Sequence, residues 1–365
     1  MEMQITYFAR FVRGICLVVE IFLVSLPSNY LWTDFEMMSD NSYTNMREML
    51  RGYLSDLQVR SENSGVIGVS SGFQVLDYLM GGFEKGKVYV IGGRPCMGKE
   101  ELMLSMIDYI LFESKSPVLL FSTNHLKSDY IQRLLAIHCD IPTWHLQQGA
   151  LKPDEWERLD KGGCDLADAP LFLHDSLELS TNELIETARN CIREKGIRIV
   201  FVDCLQMIDF DKKWGNASER IEKVMFSLKQ LANLSNVPVV VGSMLGRGME
   251  YREGIDGKRP RLMDLMNSSF IEGMADVIMM VHRPEYYHIY QDYDGRKLHG
   301  RIEIIVQKNS LKPLGSFFLD YHEKTGVVCP DKSYSNCVSL EDLCSDNEAA
   351  IKLIDNFDLE EVFPF

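Results

Sequence analysis

The sequence predicts an α/β fold, a mostly parallel twisted sheet with helices on both faces. Two observations carry that prediction. Short apolar, β-rich runs alternate with helical stretches, the pattern of strands buried on both sides by crossover helices. Between one such strand and the next helix, Gly93-Arg94-Pro95-Cys96-Met97-Gly98-Lys99 has the spacing G-x-x-x-x-G-K of a phosphate-binding loop.

In chain order, residues 1–44 are an extension of uncertain role. Gly14–Leu26 is apolar and follows Arg10 and Arg13, but Glu20 interrupts it, and no small-residue cleavage site follows. The run is too short to span a bilayer, so a buried helix or an extension before a later start (Met37, Met38 or Met46) is expected. From Asn45 to Arg60, Met46, Leu50, Tyr53, Leu54 and Leu57 recur at helical spacing behind a possible Asn45 N-cap. Strands are expected at Lys87–Gly92, Val118–Ser122, Leu171–His174, Ile197–Asp203, Val237–Ser243, Asp276–Val281, Ile302–Gln307 and Ser316–Tyr321. Helices are expected from the loop to Glu113, and at Tyr130–His138, Thr181–Lys195 and Ala217–Ser235. Right-handed crossovers then put the loop at the carboxyl edge of the sheet.

That edge carries the chemistry. Backbone N–H groups of Pro95–Lys99 at a helix N-terminus cradle an anion, although Pro95 itself gives none, and Lys99 reaches toward terminal phosphates. Asp203, at the end of a second buried strand, stands where a magnesium-binding carboxylate is expected. The residue after Lys99 should be Ser or Thr, whose hydroxyl holds magnesium; here it is Glu100. Glu100 either repels phosphate or ligates magnesium itself, since carboxylates are ordinary magnesium ligands.

Composition narrows the classes. The net charge of -15 over 365 residues excludes a whole-surface nucleic-acid binder and leaves only local basic patches. Nine cysteines, an odd number without C-x-x-C spacing, fit reduced thiols in a cytoplasmic protein with no membrane span.

The stretch from Ser70 to Lys99 resembles the start of the motor domain of DnaB-type replicative DNA helicases. Segments beginning at Val118, Ile197, Val237 and Lys258 are similar to later parts of that domain, in the same order, so the likeness covers about residues 46–325. Arg94-Pro95 within the loop, Asp203 with Leu205-Gln206, and Ala275-Asp276 through Arg283-Tyr286 carry its specificity. The resemblance implies a RecA-like P-loop NTPase fold at 65–330, ATP and magnesium as cofactors, and a hexameric ring with single-stranded DNA in its channel. It makes residues 45–64 a linker-type helix that docks on the adjacent subunit, and leaves out the family's separate N-terminal domain.

The same resemblance marks departures. Asn124 stands where the family has the glutamate that activates water, and Met244 where a glutamine senses the γ-phosphate. Lys308 matches a basic residue offered to the neighbour's phosphates, while Ser310 falls at the arginine-finger position, with Lys312 or Arg301 as stand-ins. Weak or no turnover is the expectation. Two readings stay open: an ATP-dependent helicase with impaired hydrolysis, or an inactive regulatory or structural subunit, in a homo-oligomeric ring or beside a helicase subunit.

Two loops offer DNA contacts or are merely solvated: Lys212 and Lys213 with Trp214, and Arg247, Arg252, Lys258, Arg259 and Arg261 among Glu250, Glu253 and Asp256. His282 and Arg283 resemble the family pattern near the nucleotide. The tail 331–365 ends on Val362-Phe363-Pro364-Phe365 after a run of acidic residues. It is either a solvating tail or, by its likeness to the tails of bacterial single-stranded-DNA-binding proteins, a dock for a replication partner.

Overall fold

The computed structural model describes residues 45–62, 67–209, 216–310 and 314–330. The apolar run at 14–26, Lys212, Lys213, Trp214, Lys312 and the acidic tail lie outside them. The chain divides into two compact units, residues 1–58 and 59–365.

Helix α1 (Met46–Glu62) begins where Asn45 offers its carbonyl to the Met49 N–H at 3.1 Å. Its Met46, Met49, Leu50 and Tyr53 side chains are exposed.

The larger unit contains α2 (Gln74–Met80), β1 (Val88–Gly93), α3 (Lys99–Phe112), β2 (Val118–Ser122) and α4 (Lys127–His138). There follow α5 (Thr143–Gln148), α6 (Pro153–Asp168), β3 (Leu171–Asp175), α7 (Thr181–Lys195), β4 (Ile199–Val202), α8 (Ala217–Ser235) and β5 (Val239–Met244). After three short helical turns (Arg247–Tyr251, Ile255–Lys258 and Leu262–Asp264) come α9 (Ser268–Met274), β6 (Val277–His282), β7 (Arg301–Asn309), β8 (Gly315–His322) and β9 (Val327–Pro330).

These strands form a nine-stranded sheet in the order β3-β2-β4-β5-β1-β6-β7-β8-β9. From β3 to β6 every pairing is parallel; β7, β8 and β9 extend the sheet antiparallel. Strand alternation divides the core between two faces. Tyr89 and Ile91 point into the cluster that holds Leu102, Met106 and Tyr130, while Val88 and Val90 point into the one that holds Leu184, Ile221 and Leu228. Helices α3 and α4 thus cover one face, and α7 and α8 the other.

Helix starts follow local chemistry. The Ser180 hydroxyl caps α7 by accepting from the Glu183 N–H, and the Asn216 side chain caps α8 by accepting from the Glu219 N–H. Five of these elements lay outside the sequence expectation: α2, α5, α6, α9 and β9.

Candidate phosphate-loop site

The order β4-β5-β1 sets the site. Lys99, first residue of α3, leaves the end of β1 and crosses the end of β5 to reach the end of β4, where its Nζ donates to the Asp203 carbonyl at 3.3 Å. Lys99 is only 8% exposed. The crossing is open because residue 242 on β5 is glycine. A Cβ there would lie 2.0 Å from the Asp203 oxygen and 3.3 Å from Lys99 Nζ, so any larger residue would wedge β5 away from β4. Gly98, directly before the helix, holds φ at 89°, a left-handed turn that glycine enters without a Cβ clash.

The Asp203 side chain is turned into the protein, 2% exposed. Its Oδ1 accepts from the Thr123 N–H at 2.9 Å and the Thr123 hydroxyl at 2.6 Å. Its Oδ2 accepts from the Asn124 N–H at 3.1 Å and the Tyr130 hydroxyl at 3.0 Å. An ionised carboxylate has about four lone-pair sites, and four donors fill them. Burial, then the neighbouring Asp203 charge, pushes the Tyr130 phenol up, so it stays a protonated donor.

Glu100 is held by α4. Its Oε2 accepts from Arg133 Nη1 at 2.7 Å and lies 3.0 Å from His125 Nε2; Arg133 also stands 3.6 Å from Glu101. Burial alone would raise the Glu100 carboxyl, but the His125 hydrogen bond and the charges of Lys99, His125 and Arg133 outweigh it and hold it at about 2. In return, the hydrogen bond that His125 donates to Glu100 raises His125 above its ordinary value, against a smaller opposing effect of burial. Because the folded-state value is raised, the stabilisation from this pair is fully present below the ordinary histidine range and is lost as pH rises through the folded value. An NMR titration should therefore place the His125 midpoint above 6.5, and Glu100→Gln should bring it back toward 6.5; an unmoved midpoint in the variant would refute the pairing.

Among the family-matched positions, Asn124 is exposed, and its amide lies 3.4 Å from His125 Nε2. Met244 is fixed through its backbone: its N–H donates to Gln206 Oε1 at 2.9 Å, while Gln206 Nε2 donates to the Ser243 hydroxyl at 2.9 Å. Lys308 pairs in register with Ile278 near the start of β6, the sheet edge away from the loop, and donates to the carbonyls of Glu272 and Ala275. Ser310 donates to the Asp276 carbonyl at that same edge. The fold thus brings Lys99, Glu100 and Asp203 together and keeps Lys308 and Ser310 apart from them.

The basic loop after β5 is tied down internally. Arg252 Nη2 reaches Asp264 at 2.6 Å, Arg259 grips Glu303 with two nitrogens, and Lys258 donates to the Glu250 carbonyl at 2.7 Å. Arg247 is exposed, and so is Tyr251 at 84%. Arg94, inside the phosphate loop, meets this second loop: its Nε lies 3.0 Å from Glu250 Oε1, and Nη1 donates to the Leu245 carbonyl at 3.0 Å. Tyr287 donates to the same Glu250 oxygen at 3.3 Å and stacks on His282. Burial, then the Arg259 charge, holds His282 down at about 4, so it is neutral. Arg283 lies over the Tyr321 ring and pairs with Glu323.

Thr123, Tyr130, His125 and Arg133, all central to the site, went unpredicted. Their signal was a Tyr and an Arg three residues apart in the apolar-patterned stretch 130–137, which puts both on one helical face. Among the described residues, no group of three or more His, Cys, Asp or Glu is arranged to hold a metal ion. The six cysteines there are free thiols, and no helix there is long and apolar enough to cross a membrane.

Residues 68–327 match the family model described as DnaB-like helicase C terminal domain. The chain is 30% identical over 305 residues to a probable replicative DNA helicase of Trieres chinensis, covering 83% of this chain and 66% of that protein. It is 30% identical over 287 residues to the replicative DNA helicase DnaB of Treponema pallidum (strain Nichols), covering 78% and 61%. It therefore spans just under two thirds of the length of these relatives. Among solved structures, one described as an ATPase domain superposes with a TM-score of 0.72 at 25% identity, covering 80% of this chain and all of that one. A DnaB-like replicative helicase studied with primase gives 0.70 at 25% identity, covering 80% and 68%. The sheet is thus the RecA-like fold of those ATPase domains, and the chain belongs to the DnaB-like helicase C-terminal domain family.

Proposed function

We propose that this chain is a DnaB-like motor domain that binds ATP at residues 93–100, meets single-stranded DNA through the loop after β5, and turns ATP over slowly. The observation that supports nucleotide binding best is the seating of Lys99, buried across Gly242 at the ends of β1, β5 and β4. In this reading residues 65–330 form the ATPase domain, 45–64 the linker-type helix that joins copies into a ring, and 331–365 an acidic tail that solvates or docks on a replication partner. Lys308 acts across a subunit boundary, toward a neighbour's phosphates.

A second reading is an inactive subunit placed within or beside a complete helicase. It is favoured by the pairing of Arg252 and Arg259 with Asp264 and Glu303, which leaves those cations less available for DNA phosphates. Light scattering and DNA-binding anisotropy separate the two. The motor reading expects a mass well above the 41.9 kDa chain, reduced by the pair of changes Leu50→Asp and Leu54→Asp. It also expects binding to labelled single-stranded DNA that weakens with salt, log affinity falling by about 0.7 per phosphate contacted for each unit of log salt. A monomer that ignores single-stranded DNA at low salt overturns it.

A further inference from the structure

We infer that the loop takes its nucleoside triphosphate without a magnesium ion. This rests on the nucleotide reading above and sharpens it. Magnesium demands hard oxygen ligands in near-octahedral geometry, normally one or two carboxylates together with the phosphates. The family-matched donors here do not suit it. Asp203 has no lone pair to give: two backbone N–H groups and the Thr123 and Tyr130 hydroxyls take all four. Coordinating a cation would mean breaking one of these hydrogen bonds to a buried carboxylate, and of the four donors the Thr123 hydroxyl has a second acceptor in the Cys204 carbonyl at 3.3 Å.

Glu100 is no better placed. Its Oε2 is shared by a guanidinium and an imidazole, with the Lys99 ammonium close enough to help keep it ionised. A divalent ion drawn there would face three cationic groups. The Thr123 hydroxyl, on the neighbouring strand end, is spent on Asp203.

The countercharge for a polyphosphate comes instead from the protein. Lys99 is fixed beside the cradle, and Arg133 and His125 stand at the same helix terminus on Glu100. A phosphate arriving there competes with one carboxylate for these cations. This chemistry recognises the anionic phosphate chain and leaves its metal ion behind.

The test compares ATP affinity of the full chain in excess magnesium chloride and in EDTA, by calorimetry. The expected ratio of dissociation constants is within about twofold, whereas magnesium-assisted binding would tighten by about tenfold or more, roughly 1.4 kcal/mol. Such tightening overturns the inference and leaves nucleotide binding standing; no binding in either buffer takes down the nucleotide reading with it. A second arm uses the double variant Tyr130→Phe, Glu100→Thr, which frees one Asp203 lone pair and supplies the missing hydroxyl. With ATP present it should bind manganese, detected by electron paramagnetic resonance, where the parent chain does not. A parent chain that takes up manganese with ATP, or a double variant that still does not, overturns the assignment to these groups.

Discussion

ATP turnover by this chain, with single-stranded DNA present, is expected to fall at least about 10²-fold below that of a complete DnaB-like helicase assayed alongside it. Two features combine to give that figure. A positioned general base contributes about 10²–10⁴-fold, and the residue that the sequence resemblance assigns to that role is Asn124, whose amide side chain cannot accept the proton of an attacking water at neutral pH. A carboxylate about 4 Å from a phosphate charge costs on the order of 1 to 4 kcal/mol, depending on screening, and Glu100 sits next to Lys99 with its charge firmly retained. The change Asn124→Glu alone should recover little, because Glu100 still opposes the phosphate. Combined with Glu100→Thr it should raise turnover more than either change alone, since both act on one reacting unit. Steady-state phosphate release measures the chain, its two single variants, the double variant and the reference helicase, and robust DNA-stimulated turnover in the unaltered chain would refute the expectation.

The second large effect is on stability. Asp203→Ala should destabilise the fold by about 3–5 kcal/mol, a substantial part of the roughly 5–15 kcal/mol that holds a domain together. The change strands donors from β2 and α4 at once: the Thr123 and Asn124 N–H groups and the Tyr130 hydroxyl lose their acceptor. Each buried donor left unmade costs about 1–3 kcal/mol. The Thr123 hydroxyl has a fallback in the Cys204 carbonyl at 3.3 Å, which keeps the total below a simple sum. Urea unfolding reads the loss. A carboxylate whose business is an external ion can be removed without unfolding its protein, so a shift under about 1 kcal/mol would return Asp203 to that role.

Much of this molecule is legible in its sequence, and the limits have physical causes. The central strands announce themselves because burial on both faces demands unbroken apolar runs, as in Val237–Ser243. The phosphate loop is equally plain, since glycine at 93 and 98 and lysine at 99 answer to backbone geometry and charge. Helix α6 is hidden by Gly162 and Gly163 in its middle, where propensity argues against a helix and packing overrules it. The pairing of Glu100 with Arg133, and of Asp203 with Tyr130, joins residues that are distant in sequence and meet only once α4 lies against α3 and the end of β4. Spacing carries no signal for such meetings. The substitution at residue 100 shows in the sequence; the cations that accommodate it become apparent only in the fold.

The placement of β1 at the centre of the sheet has a consequence for how the chain comes together. Val88 pairs with Val239, and Tyr89 with Val277, so the strand that carries the phosphate loop finds both its neighbours far downstream. During synthesis it is the first strand of the sheet to emerge and among the last to be flanked. Loop closure of that length is entropically costly and slows folding. Until residue 244 has been made, both edges of an apolar strand stand open, and until β6 is complete at residue 282 one still does, in the state most prone to pair with another chain. A fragment ending before β6 would keep every residue of the phosphate loop and leave one side of its supporting strand bare.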